Sequence, residues 1–154
     1  MNLLAIDPGN TESAYLVYDT ETHRVVEWRK APNDEVLCFL DGNGYLRHAH
    51  VLAVEMIASY GMPVGREVFE TVLWVGRFVE RWKGPHRLVY RREVKLHLCG
   101  SARAKDANVR QALLDKFGGK DAAIGKKATP GPLYGLAGDG WSALGVAVTA
   151  AETS

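Results

Sequence analysis

Three carboxylates stand where an apolar face would not want them. Asp7 closes the apolar run at residues 2–6, Glu55 interrupts Val51-Leu52-Ala53-Val54-Glu55-Met56-Ile57, and Asp139 opens the last apolar stretch of the chain. An acid inside an apolar strand is costly to ionise unless it is paired or bound to a cation, because desolvation disfavours the charged form. Several such acids brought together suit a hard, partly hydrated cation held by oxygen, which is the Mg²⁺ or Mn²⁺ pattern. Each acid also has a plainer role: Asp7 as a turn cap, Glu55 as a strand-end partner for an arginine, Asp139 as a helix N-cap. The two readings divide on whether the elements that carry the acids converge.

Those elements can be read from the hydrophobic pattern. Residues 2–6 are a short β-prone run stopped by Asp7-Pro8-Gly9-Asn10, where proline and glycine force a turn and leave the aspartate at a strand end. Residues 13–18 and 24–30 read as two further strands around Asp19-Thr20-Glu21-Thr22, an antiparallel meander. Pro32-Asn33-Asp34 opens a short helix through Leu40, with Asn33 or Asp34 as N-cap and Asp41-Gly42-Asn43-Gly44 as its stop. Residues 50–57 form a buried strand, and the strand-helix-strand order favours pairing it parallel to the first, so that Asp7 and Glu55 project side by side.

Val68, Val72, Val75 and Val79 recur at helical spacing and predict a long amphipathic helix over residues 66–82, ended by Gly84-Pro85. A strand follows at 87–90. Residues 106–117 form a helix with Val109, Ala112, Leu113 and Phe117 on one face, stopped by Gly118-Gly119. Residues 120–138, rich in Gly, Pro and Lys and without an apolar period, read as a loop of functional length. The last helix turns Trp141, Leu144, Val148 and Ala151 inward and has Asp139 at its N-terminal end, where a negative charge suits the backbone dipole. The expectation is an α/β domain spanning residues 1–154, its mixed sheet made of an antiparallel meander plus parallel strands and flanked by helices.

Composition narrows the function. At 154 residues, 47% hydrophobic and 24% charged, the chain can bury one ordinary core. No apolar run approaches the ~20 residues that cross a bilayer, so no membrane partner is expected. The start lacks a basic region and a small-residue cleavage site and reads as a first strand rather than a signal peptide. Cys38 and Cys99 stand alone and far apart, which gives neither a disulfide framework nor a zinc site; a reducing cytoplasm is the expected setting. His23, His48, His50, His86 and His97 form no metal-spaced cluster and are expected to be structural or at the surface. The net charge is only +1, but residues 81–127 hold 13 Lys and Arg against 4 Asp and Glu, leaving 6 of the 19 basic and 14 of the 18 acidic residues elsewhere. That segment is either a solvated charged face or a nucleic-acid surface.

Ala5-Ile6-Asp7-Pro8-Gly9-Asn10-Thr11 resembles the opening motif of the RuvC-type Holliday-junction resolvases, a family of ribonuclease-H-like nucleases. Ala53-Val54-Glu55 is similar to that family's second motif, Glu93-Val94-Lys95 through Gly100-Ser101 and Lys105-Asp106 to its basic third segment, and Gly138-Asp139-Gly140-Trp141-Ser142-Ala143-Leu144 to its acidic last motif. The four stand in the family's order and span nearly the whole chain. The compact size and the run from Glu55 to Pro63 look most like the phage-encoded branch.

The resemblance implies a ribonuclease-H-like fold and a Mg²⁺-dependent hydrolase of DNA recombination and repair. Its metal ligands would be Asp7, Glu55 and Asp139, with Mn²⁺ as a substitute ion, and it would cut four-way and other branched DNA to leave 5′ phosphates. By the same resemblance Lys105 would be a catalytic residue near the scissile phosphate that neutralises the charge developing there, while its plainer role is an exposed residue at a helix start. Arg91, Arg92, Lys95, Arg103, Lys126 and Lys127 would contact phosphates without reading bases. Tyr60, on a loop after Glu55, could stack on an unpaired base or simply pack within its loop. The family's second acid of the last motif is replaced by Ser142, which leaves a fourth ligand to water, the substrate phosphate, Glu70 or Asp106. Two symmetric incisions in a junction imply a homodimer, with the Trp74, Phe78 and Trp82 side of the long helix as its surface unless those residues cover the sheet.

Other readings stay open. Asp7-Pro8-Gly9-Asn10-Thr11 also resembles the first phosphate loop of actin-like ATPases and sugar kinases, although the chain is short for their two domains. A catalytically silent junction-binding protein and a related nuclease acting on ribosomal RNA precursors are the remaining alternatives.

Overall fold

The computed structural model describes residues 1–41 and 49–153. A single five-stranded sheet runs through it in the order β3-β2-β1-β4-β5, built from β1 (Asn2–Asp7), β2 (Glu12–Asp19), β3 (Arg24–Pro32), β4 (Ala49–Met56) and β5 (His86–Tyr90). The first three strands pair antiparallel, as short turns between them require. β4 pairs parallel to β1, and β5 parallel to β4, since helices α1 (Asn33–Leu40) and α2 (Arg66–Trp82) intervene between β3 and β4 and between β4 and β5. The mixed sheet expected from the sequence is the one observed.

Alternation of side chains along the strands gives the sheet two apolar faces. Leu4, Ile6, Tyr15, Val17, Leu52 and Val54 point to α1 and α2, where Val36, Leu37, Val75 and Phe78 cover them. Leu3, Ala5, Ala14, Leu16, Ala53 and Val89 point the other way, to α6 (Gly140–Glu152), which α3 (Arg91–Cys99) and α4 (Asp106–Lys116) flank. The sequence pattern gave α6 one apolar stripe, whereas ten of its residues are buried, on nearly every side. Packing from the sheet and from α3 and α4 together explains the difference, and Gly145 allows it: a side chain there would press on Val94 of α3.

Several expectations need correction. The aromatic side of α2 is not a free surface, because Phe78 is fully buried and Trp74 and Trp82 pack against the same core. Phe69 and Leu73, one turn apart, are instead the exposed apolar residues of that helix, at 65% and 66%. Helix α3 was not expected; with Val94 as its one buried residue it has hardly any apolar period. Its ends do carry signals, since Glu93 accepts from the Tyr90 amide and Gly100 closes the helix at φ 73°. The loop expected at residues 120–138 begins with the short helix α5 (Lys120–Ile124), which buries only Ala123. Asn33 does not cap α1, whose N-cap is Pro32; its amide is engaged elsewhere, as described below. The stop expected for α1 lies, beyond Asp41, outside the described residues, as does His48. Among the described residues no helix is long and apolar enough to cross a membrane.

Candidate active site

Asp7 and Glu55 meet because their strands are parallel neighbours. Ile6 pairs with Val54, so the residues that follow them, Asp7 at the end of β1 and Glu55 one residue before the end of β4, stand side by side on the face that α6 covers. The turn beyond Asp7 is fixed from below by a buried polar triangle. Ser13 Oγ accepts from the Gly9 amide at 3.1 Å and donates to Asn33 Oδ1 at 2.6 Å, and Asn33 Nδ2 donates to the Gly9 carbonyl at 2.9 Å. Gly9 has no room for a side chain, since a Cβ would run into the Glu12 carbonyl oxygen.

Electrostatics then single out Asp7. Burial, the charges of Glu55 and Asp139 and a hydrogen bond to Glu55 push its pKa up to about 8, against the pull of Arg91. Glu55 is 5% exposed, and burial holds its carboxyl above the ordinary value, opposed by the Arg91 guanidinium whose Nε lies 2.9 Å from Oε1. The plainer role considered for Glu55, a partner for an arginine, is thus met. Asp139 is the N-cap residue of α6 but makes no side-chain cap; its Oδ2 lies 2.8 Å from Lys30 Nζ.

A cleft of about 460 Å³ opens over the pair. Asp7 and Glu55 form its acidic part, Arg91, Arg92 and Lys95 a basic wall, and Met56, Ile57, Ala58 and Tyr60 an apolar one. The basic wall is the first turn and a half of α3. Tyr60 is 58% exposed, at φ 48°, and its ring centroid is 5.4 Å from the Arg92 guanidinium; it is not packed away within its loop.

Of the sequence-derived site residues, the structure thus brings Asp7, Glu55, Tyr60, Arg91, Arg92 and Lys95 into one cleft, with Asp139 beside Asp7. Lys105, at the N-cap of α4, and the exposed Arg103, Lys126 and Lys127 are not among the residues that line it. Arg103 lines a separate hollow with Cys99, Ser101 and Asn108. Of the two acids considered in place of Ser142, Glu70 pairs with Arg66 at 3.0 Å on α2, across the sheet. Asp106 acts electrostatically on both Glu55 and Arg91 and lines with Ser142 a cavity of about 20 Å³ beside them. Lys30, the apolar wall and the Ser13–Asn33 triangle were not legible as site features. Lys30 alternates with Trp28 on one face of β3, but only the register puts it opposite Ala14, and Ala14 opposite Asp7.

Among the described residues no group of three His, Cys, Asp or Glu side chains stands ready to hold an ion; Asp139 is paired with Lys30 and Glu55 with Arg91. The donor chemistry nevertheless fits a hard divalent cation: all donors are carboxylate oxygens, and two acids crowd each other in a partly desolvated place where only added positive charge lets both ionise.

The fold has counterparts among solved structures. Thermus thermophilus RuvC superposes with a TM-score of 0.66 over 97% of this chain and 92% of that one, at 18% identity. The same protein in complex with a Holliday junction substrate gives 0.66 over 97% and 91%, at 15% identity. The fold is RuvC-like. A ROK family protein from Streptococcus pneumoniae, in complex with sucrose, matches 64% of this chain and 37% of its own at a TM-score of 0.43, too low to bear on function. No protein-family model matches the sequence, and no curated protein does. In this RuvC-like fold the strand ends that carry Asp7 and Glu55 and the start of α6 that carries Asp139 share one end of the sheet.

Proposed function

We propose that this chain is a structure-selective DNA endonuclease that resolves four-way junctions by metal-assisted hydrolysis, leaving 5′ phosphates. The observation that carries the reading is the pair of crowded carboxylates, Asp7 and Glu55, at the bottom of a cleft with Arg91, Arg92 and Lys95 on its wall. That combination suits a phosphodiester: acids for cations, and cations for the flanking phosphates. The likeness to RuvC, solved with a Holliday junction substrate, supports the same reading.

Asp7, Glu55 and Asp139 would hold Mg²⁺ or Mn²⁺, with Asp106 as the acid that stands in for the position of Ser142. Bound divalent ions supply an activated water and charge compensation for the leaving 3′ oxygen. The residues of the chain do the rest. Arg92 and Lys95 grip phosphates beside the cut; Arg103, Lys105, Lys126 and Lys127 extend the basic surface; the Tyr60 ring, exposed at the cleft mouth, stacks on a base freed at the junction centre. Matched incisions call for a two-fold dimer, and the exposed Phe69–Leu73 ridge of α2 is the surface we assign to it.

The test is a labelled four-way junction incubated with protein and Mg²⁺. Wild type nicks it, whereas Asp7→Asn binds the junction with nearly unchanged affinity and does not cut; a fully active Asp7→Asn protein would remove the metal-site assignment. The ion pairs on Glu55 and Asp139 and the serine at position 142 favour one second reading, a junction-binding module without activity. Binding by wild type without nicking selects it.

A further inference from the structure

Two features of β3 converge on the turn that presents Asp139. The Trp28 indole donates to the Gly135 carbonyl at 3.1 Å, and its ring lies where a side chain at Gly140 would be, 2.8 Å from the Cβ position. Two residues on, and therefore on the same face of the strand, Lys30 places its ammonium 2.8 Å from Asp139 Oδ2. Lys30, Ala14 and Asp7 form one row across three strands, so the ammonium stands on the same side of the sheet as the acids. Trp28 is half-buried and fixes the backbone of the turn. Lys30 and Asp139 are each 48% exposed, so neither side chain is held by packing, and the ion pair sets where the carboxylate points.

Resting on the metal-site reading above, we propose that Lys30 is a positioning residue that acts as a stand-in cation for Asp139. It neutralises the carboxylate while no divalent ion is bound, and it competes with that ion for Asp139. The reason is electrostatic: the ammonium already compensates the charge of the carboxylate through Oδ2, and two cations on one carboxylate repel. Lys30 therefore sets how much divalent ion the cluster needs, and keeps Asp139 aimed at the sheet rather than at the dipole of its own helix.

The experiment measures Mn²⁺ binding to the DNA-free protein by electron paramagnetic resonance, which reads free ion and needs no activity. Lys30→Met tightens Mn²⁺ binding by about two- to fivefold, the range open to an exposed ion pair. Lys30→Arg, which keeps the charge, stays near wild type. In an Asp139→Asn background the Lys30→Met gain disappears, because the carboxylate for which lysine and metal compete is gone. Unchanged or weaker binding by Lys30→Met overturns the proposal, as does a gain that survives in the Asp139→Asn background, which would mark only the loss of a nearby positive charge. Asp7→Asn separates this from the wider reading: if it leaves Mn²⁺ affinity intact the metal site itself is misassigned, whereas weakened binding there with no response to Lys30→Met rejects the role of Lys30 alone.

Discussion

Asp7 keeps a proton in this fold that an exposed aspartate gives up. With a pKa of about 8 when folded, against an ordinary 3.8, the folded chain binds more protons than the unfolded chain between those values. The stability this group contributes is therefore fully present below 3.8 and is lost as pH rises through about 8. Metal-free protein should melt at a lower temperature at pH 8 than at pH 6, and Asp7→Asn should flatten that difference. Mg²⁺ should raise the melting temperature more at pH 8 than at pH 6, because it competes with the proton for the same oxygens. Melting curves of the two proteins at both pH values, with and without Mg²⁺, check the pattern; identical pH slopes for wild type and Asp7→Asn would contradict it. A neighbouring residue carries a different prediction. The Arg91 guanidinium is directed to Glu55, whereas Arg92 is exposed on the cleft wall. Arg92→Ala should lower the slope of log affinity for junction DNA against log salt by about one unit, the loss of roughly one phosphate contact.

At the scale of elements, the strand-end turn after β1 is only as well placed as the triangle beneath it. Ser13 and Asn33 are almost fully buried and satisfy each other and Gly9. Asn33→Ala strands the Ser13 hydroxyl and the Gly9 carbonyl, and should cost about 1–3 kcal/mol in urea unfolding, the penalty for buried polar groups left without partners. If the chain is the nuclease proposed above, the effect should extend to function as a loss of cutting larger than the loss of junction binding, since the turn follows Asp7 and carries none of the cleft cations Arg91, Arg92 and Lys95. Helix α3 has a similar double duty. Val94 packs against the core cluster around α6 while Arg91, Arg92 and Lys95 face the cleft, so one helix joins the basic wall to the core.

For the molecule as a whole, the two faces of the sheet divide the work. The α6 face bears the acids, and the α1–α2 face is closed by Phe78 and its neighbours, leaving Phe69 and Leu73 outward. If that ridge pairs two copies, Leu73→Glu should convert a dimer to a monomer in sedimentation velocity without lowering the melting temperature of the subunit appreciably, since the side chain is 66% exposed. A dimer unaffected by Leu73→Glu would place the two-fold contact elsewhere.

The strands, helices α1, α2, α4 and α6, the β1–β3 meander and the parallel pairing of β4 with β1 were legible because they rest on local periodicity and on the rule that parallel neighbours need a crossover, whereas the place of β5 beside β4 was not. The amino-acid order likewise marked Asp7, Glu55 and Asp139 as out of place in apolar surroundings. Short helices with a single buried residue, α3 and α5, left no period to read. The outward face of α2 was misjudged because aromatic residues look alike in sequence whether they cover a sheet or face water. What tertiary structure alone decided was which polar groups meet: Lys30 with Asp139, Arg91 with Glu55, Asp106 near both Glu55 and Arg91, and Asn33 with Gly9 rather than with its own helix. Such pairings depend on strand register and on how α6 lies across the sheet, and these are fixed by packing between residues far apart in the chain rather than by any local preference.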